Sequence, residues 1–591
     1  MDVGLLSLLA IFVPILGSAA VPLVAAASRR AAGPTAVAFA AATGVFTTLL
    51  LFDLRPAPVI ASSWIPTLGL SFDVRVDALS ASVAAIAGIL GALVVLYSTA
   101  YMRHAAVEGY SLPRYYAYIL LFIGAMVGLA LADSLLAFLI FWETVGLCSF
   151  LLISFYHRDP KARRAGIKAL AVTQAGGIGL VVAVVALWSQ HGITTFSALL
   201  AASPAAAALP LAAFGVLAAA FAKSAQFPFH PWLPDAMEAP TTVSALIHAA
   251  TMVNAGVYLV ARTLPAFSGV PLWLETVLWV GVASALLGAV GALAERDLKR
   301  VLAYSTISQL GFMFAAVGAG AMFAGSFHLL SQALFKALLF LAASAVIQAA
   351  GSRDLFKMGG LGATMRLTSV SFLIGAISMA GIPPLVGFWS KDLVLEGVLH
   401  ASAPAFLVLA GVALLTAVYA LRAWWLAFAG SARGAAGAHE APLPMVSVVA
   451  VLAGATLLAG VLLEPMSAAF VRTLPAYEVA SLTLAVALTA MLTSSTVGVT
   501  LAVAGVAAYL LVVHRARFER EPAPDAALAR GLTRALRSGF GLGAFFDILV
   551  DGFARLGRAM LRLDTRDLNL NSGAVLGTLA LLVVVFSSGV I

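Results

Sequence analysis

Cysteine is nearly absent from this chain. The single Cys148 among 591 residues excludes an intrachain disulfide and any multi-cysteine cluster. Charge is scarce as well: Asp, Glu, Lys and Arg make up 10% of the residues, and the net charge of +8 is small for this length. No basic patch of the kind a nucleic-acid interface needs is visible. No GxGxxG follows a strand and no GxxxxGK[ST] occurs, so neither a dinucleotide nor ATP is expected to bind. Long polar stretches are missing too. Before residue 515 the longest runs only from Ser431 to Pro442, which leaves no room for a soluble domain or a low-complexity linker.

In their place stand hydrophobic residues, 62% of the chain, at a mean hydropathy of +1.04. No soluble globular protein has that composition. The apolar runs have the length of helical spans, not the alternation of barrel strands. The expected fold is an all-α polytopic membrane protein with about fifteen or sixteen transmembrane helices. The first run, Val3–Ala27, is long enough to cross, which argues against a removable signal peptide. After a second span, SSWIPTLGLSFDVRVDALS reads as a short surface hairpin, from its turn residues and the alternation at Phe72–Val76. Later spans include Lys168–Trp188, Leu209–Gln226, Val243–Ala261, Phe323–Ala349 and an interrupted Leu367–Leu399. Leu482–Leu492 is ambiguous, and Thr496–Val513 and Ala574–Ile591 read as spans. Between them, Arg515–Asn571 holds most of the C-terminal charge. Leu549, Phe553, Leu556 and Met560 share one helical face there, the pattern of an amphipathic helix lying in the membrane interface.

One stretch organises the rest: FAKSAQFPFHPWLPDAMEAPTTVSALIHAATMVNAGVYLVAR. Lys223 sits in an apolar helix, where an amine costs about 2.5–3.5 kcal/mol on insertion scales, so a task is expected of it. Desolvation also makes a lysine ready to give up its proton. Pro228 lacks an amide hydrogen, which deprives the Ser224 carbonyl of its helical partner. Broken helices at membrane depth persist only where protein buries them or water lines them. A second break is expected in GIPPLVGFWSKD, where Pro383 and Pro384 free the carbonyls of Met379 and Ala380. Two interrupted spans in comparable positions point to a repeat-built transporter with a polar site at the midplane.

Other ionisable groups fall inside spans. Glu143, in LLAFLIFWETVGLCSF, needs a buried partner, and Lys223 is the leading candidate. The pair is either a structural bridge or a pump element, in which withdrawing the carboxylate favours release of the lysine proton. His248 is either a hydrogen-bonded packing residue or a relay. His328, Gln332 and Lys336 recur every four residues and line one helical face, a polar stripe that should look into the bundle. Histidine with glutamine and lysine is a poor ligand set for zinc, so no metal is expected. Lys391 is either a second buried amine near an exit or a helix-end residue snorkelling to the headgroups, and Asp392 follows it. Asp297, Lys299 and Arg300 read as a surface loop and helix start. Lys161, Arg163, Arg164 and Lys168 read as an interfacial basic run.

Four of these stretches, FWETVGLCSFLLISFYHRDPKARRAGIKALAVTQAGGIG, the Lys223 stretch, DLKRVLAYSTISQLGFM and FHLLSQALFKALLFLAAS, resemble the antiporter-like L subunit of respiratory complex I. The resemblance covers about Phe72 to Phe428. The family includes subunits of coenzyme F420H2 dehydrogenases, Mrp sodium/proton antiporters, energy-converting hydrogenases and inorganic-carbon transporters. The resemblance implies proton translocation driven by redox chemistry elsewhere. Glu143 would pair with Lys223, His248 would continue the path, Lys336 would be the central relay with His328 beside it, and Lys391 with Asp392 would serve the exit. The chain itself would hold no cofactor and do no redox chemistry. Flavin, iron–sulfur clusters and quinone would belong to partner subunits, which would include M-type and N-type antiporter-like subunits and a peripheral redox arm. A bacterial or archaeal cytoplasmic membrane is implied. The divisions expected are N-terminal spans to residue 115, an antiporter-like core at 116–430, further spans at 431–514, a lateral amphipathic helix at 515–571 and an anchor span at 572–591. Gln174, Gly177 and Gln332 depart from the L-subunit pattern, which often has Arg, Asp and a second His there.

Overall fold

The computed structural model describes residues 2–65, 70–202, 210–429, 431, 433, 437–477, 479, 482–483, 505–506 and 541–563. Two apolar helices come first, α1 (Val3–Ala27) and α2 (Ala32–Leu50). The expected hairpin follows as β1 (Pro58–Ile65) antiparallel to β2 (Leu70–Arg75), with Ser62 opposite Phe72. Next is α3 (Ala78–Tyr101), which starts at a capping box made by Asp77 and Ser80. Ser111, Ser134 and Asp159 cap α4 (Leu112–Leu131), α5 (Leu135–Ile153) and α6 (Pro160–His191) through their side-chain oxygens. That proline start carries α6 a further two turns ahead of the apolar run, so Lys168 lies within the helix and not before it.

The chain then breaks repeatedly. α7 (Pro210–Lys223) ends at the lysine, and α8 (Thr241–Ala249) is separated from α9 (Met252–Phe267) by two non-helical residues. Continuous helices follow: α10 (Trp273–Ala294), α11 (Leu298–Gly318) and α12 (Met322–Ala350). The second expected interruption separates α13 (Arg366–Ala380) from α14 (Val386–Ala401). α15 (Ala403–Trp424), α16 (Leu443–Leu458) and α17 (Leu463–Thr473) complete the bundle, and α18 (Leu542–Leu563) lies against α6.

Among the described residues, 12 helical segments are long and apolar enough to cross a membrane. The chain is an integral membrane protein with an all-helical bundle and one small hairpin. The count falls short of fifteen partly because α7 and α13 stop at their breaks and are too short to qualify. In addition, Thr496–Val513, Ala574–Ile591 and nearly all of Leu482–Leu492 lie outside the described residues, as do the side chains of Leu549, Phe553, Leu556 and Met560.

Small residues let the helices approach closely. A Cβ on Gly281 or Gly311 would lie 2.5 Å from a backbone nitrogen of the facing helix, so α10 and α11 touch backbone to backbone. Gly256 does the same for α9: a Cβ there would lie 2.3 Å from the Ala220 carbonyl of α7 and 2.2 Å from Ser224 Oγ. That contact brings the start of α9, just after the gap at Ala250 and Thr251, against the end of α7.

Candidate functional site

The first break is set by backbone chemistry around Pro228. α7 stops at Lys223, and Ala225 turns into the left-handed region with φ +49°. The Ser224 carbonyl is not the free dipole that the missing proline hydrogen implied. Gln226 Nε2 donates to it across 2.9 Å. Trp232 Nε1 donates to the Ala222 carbonyl at 3.0 Å, and the Phe227 amide donates to Ser284 Oγ at 2.9 Å. The turn is closed by side chains, which is how non-helical backbone survives without water.

Lys223 is fully buried. Its Nζ donates to the Trp142 carbonyl at 2.9 Å and lies 4.6 Å from the centre of the Trp142 ring. The direct Glu143–Lys223 ion pair expected from the sequence is not formed. Its carboxylate is turned toward α6, where a Cβ on Gly177 would lie 3.2 Å from Glu143 Oε1 and 3.3 Å from Gln174 Oε1. The space left by Gly177 is thus where the acid sits, and Glu143 Oε2 is buried without a hydrogen-bond partner.

His248 lies one residue before the end of α8, at a break the sequence did not announce. Here the helix parts at Ala250 and Thr251. Thr251 Oγ1 donates to the Leu246 carbonyl at 2.9 Å, and Asn254 Nδ2 donates to the Ala249 carbonyl at 2.7 Å. Neither ring nitrogen of His248 has a hydrogen-bond partner, and the ring packs 4.6 Å from that of Phe340. Ser224 Oγ donates to the Val253 carbonyl at 2.7 Å, which ties this break to the turn after Lys223.

The polar stripe of α12 looks into the bundle along its whole length. Each member meets a different helix. Lys336 Nζ donates to Ser305 Oγ and, at 3.3 Å, to the Leu302 carbonyl of α11. Gln332 Nε2 reaches Asn254 Oδ1 of α9 at 3.4 Å, and His328 Nδ1 meets Ser390 Oγ of α14 at 2.9 Å. The next residue on α14 is Lys391, 1% exposed, with no hydrogen bond to Nζ and the Phe312 ring centre 5.2 Å away. It is buried, not snorkelling. Half-buried Asp392 follows on the same helix. The break before α14 closes with Gly381 in the left-handed conformation, φ +83°, its amide on the Ser378 carbonyl. Pro383 and Pro384 occupy the loop, and the Gly387 amide donates to Ser378 Oγ at 3.2 Å.

Lys223, His248, Lys336, His328 and Lys391 are all buried inside the bundle, each 0–1% exposed. The structure also corrects one assignment. Lys299 is not at the surface: it is 3% exposed, and its Nζ donates to the carbonyls of Met237 and Ala239 at 2.7 and 2.6 Å, just ahead of α8. Lys168, the last cation of the basic run, is buried and pairs with Asp235 at 2.7 Å, and with Asp547 of α18 at 3.8 Å. Sequence reasoning missed both because their partners come from the broken segment 232–239 and from α18, far away along the chain. It also missed Asn254, whose only signal was an amide in an apolar run.

The family model described as NADH:quinone oxidoreductase/Mrp antiporter, TM, matches residues 132–416. The model described as NADH-Ubiquinone oxidoreductase (complex I), chain 5 N-terminus, matches residues 64–116. The chain is 43% identical over 391 residues to the chloroplast NAD(P)H-quinone oxidoreductase subunit 5 of Zygnema circumcarinatum, covering 63% of this chain and 55% of that protein. It is 39% identical over 457 residues to the same subunit from Nephroselmis olivacea, covering 74% of this chain and 70% of that one. The chain thus spans little more than half the length of the first of these relatives. A solved structure of the Mrp complex from Dietzia sp. DQ12-45-1b contains a chain that superposes with a TM-score of 0.76 at 32% identity, covering 99% of this chain and 63% of that one. The chain belongs to the NADH:quinone oxidoreductase/Mrp antiporter family of membrane proteins.

Proposed function

We propose that this chain is the proton-translocating membrane subunit of a complex I-like quinone oxidoreductase in a bacterial or archaeal cytoplasmic membrane. The observation that carries the reading is the set of three buried lysines, each beside a helix break or bonded across the bundle, with buried polar side chains that have spare valences nearby. Glu143 Oε2, both nitrogens of His248, His328 Nε2, Gln332 Oε1 and Lys391 Nζ are buried without a protein partner. Buried polar atoms are rarely left so, and only water could satisfy these together. Such a set conducts protons when hydrated and blocks them when dry.

In this reading Glu143 modulates Lys223, His248 and Gln332 carry the proton inward, Lys336 stores it, and His328 hands it through Ser390 to Lys391 and Asp392. The chain supplies no redox group. Flavin, iron–sulfur clusters and quinone belong to partner subunits, which include M-type and N-type antiporter-like subunits and a peripheral arm. The likeness to the Mrp chain, which extends over nearly all of this sequence, favours cation/proton exchange as a second reading.

The test is proton uptake by vesicles holding the assembled complex. Lys223→Ala should suppress uptake driven by an electron donor while electron transfer persists. Full uptake by the assembled variant would remove Lys223 from the path. Sodium-driven proton movement without any donor would select the second reading.

A further inference from the structure

At one end of the bundle, the start of α4, the end of α5 and the start of α6 enclose a cavity of about 330 Å³. Exposed Arg114, His157 and Arg163 stand around it with the half-buried rings of Tyr110 and Tyr118. Phe150, Leu151, Phe155 and Ile167 form its apolar wall. Ser154 also lines it, and the Ser154 Oγ is buried with no hydrogen-bond partner.

The cations here differ from their neighbours. Arg164 pairs with Asp547 and Asp551 of α18, and Arg158 donates to the carbonyls of Glu108 and Gly109. Arg114 and Arg163 make no ion pair among the described residues. Two uncompensated guanidinium groups, an unpartnered hydroxyl and two amphipathic rings thus face one space. The apolar wall continues outward: Leu151, Leu147 and Ile140 follow one another down the outer face of α5, with Leu147 49% and Ile140 44% exposed.

We propose that this cavity binds the phosphodiester headgroup of an anionic phospholipid. Arg114 and Arg163 hold the phosphate, Ser154 takes one hydrogen bond, and an acyl chain runs along Leu151 and Leu147. Arginine suits a phosphate because its planar fork offers paired donors. Tyrosine rings at headgroup depth are the usual interfacial anchors. A free phosphate would share the cationic end but gain nothing from the apolar wall or the exposed stripe beyond it. The site is independent of the proton path.

The full chain in nanodiscs of phosphatidylcholine with graded phosphatidylglycerol tests this, with retained lipids counted by native mass spectrometry. One phosphatidylglycerol should stay bound per chain at low mole fraction. Its affinity should fall about 30-fold in Arg114→Gln/Arg163→Gln, the effect of two interfacial cations. Arg163→Gln alone should lose about fivefold, which keeps the test open if the double variant fails to fold. Arg164→Gln should retain the lipid. Equal retention by the Arg163 variant, equal retention of phosphatidylcholine, or displacement by inorganic phosphate would overturn the proposal, the last by making it a site for a soluble anion.

Discussion

Arg262 and Asp77 are 1% and 0% exposed, and the guanidinium of Arg262 forks onto both carboxylate oxygens, with Nη2 2.8 Å from Oδ1. The Tyr477 hydroxyl donates to the Arg262 carbonyl at 2.8 Å. The pair joins the hairpin end of α3 to the broken α9. Removing one partner of a buried pair leaves the other charge stranded, at a cost of about 3–5 kcal/mol. Asp77→Ala should therefore lower thermal stability in detergent by that order, and an unchanged melting temperature would show that the pair holds nothing. Burial pushes the Asp77 carboxyl up, but Arg262 and Arg75 outweigh it and hold it below its ordinary 3.8. A depressed carboxylate stabilises the fold above the unfolded value and stops doing so as pH falls through the folded one. Wild type should thus lose this contribution only below about pH 4, and the gap to Asp77→Asn should narrow there. At the same scale, Gly177 explains why Glu143 does not close on Lys223: with no side chain at 177, the acid swings to α6.

The elements that matter most are the breaks. A Cβ on Gly387 would lie 1.8 Å from the Ser378 carbonyl oxygen. Gly387→Ala should push α14 off α13, cost about 1–3 kcal/mol, and displace Lys391. Hydrogen exchange faster across 378–391 would register that shift, and unchanged exchange would contradict it. α18 is held at a different strength. Phe546 is buried and packs 6.1 Å from Phe229 in the first broken turn, while Asp547 and Asp551 pair with α6 from exposed positions. Exposed pairs contribute about 0–1 kcal/mol each. Asp547→Asn/Asp551→Asn should loosen α18 to proteolysis, and Phe546→Ala should loosen it further. The reverse order would mean that charge, not packing, seats it.

For the molecule as a whole, the fold was readable because membrane spans announce themselves by length and hydropathy, and two of the breaks by proline. The break after His248 was not readable: neither Ala250 nor Thr251 is a proline or glycine, and the break is closed by local bonds from the Thr251 and Asn254 side chains and by the long-range bond from Ser224 to the Val253 carbonyl. Lys336 was found because a polar residue every fourth position has one explanation on an apolar helix. The burial of Lys168 and Lys299 was not readable because each lies near other charges in the sequence, and a charge run looks the same whether its members end in water or under a folded segment. How the buried amines are arranged depends on three-dimensional closure, so no local pattern could have drawn it complete.

The central claim is that protons cross through the buried amines, with Lys336 in the middle. Lys336→Met tests it most directly. The apolar side chain keeps the length of the stem, and Ser305 retains its own bond to the Leu302 carbonyl at 2.8 Å, so the bundle should hold. In vesicles carrying the assembled complex, the number of protons moved per electron should fall below that of the wild type while electron transfer continues. An unchanged ratio in a fully assembled Lys336→Met complex would contradict the account.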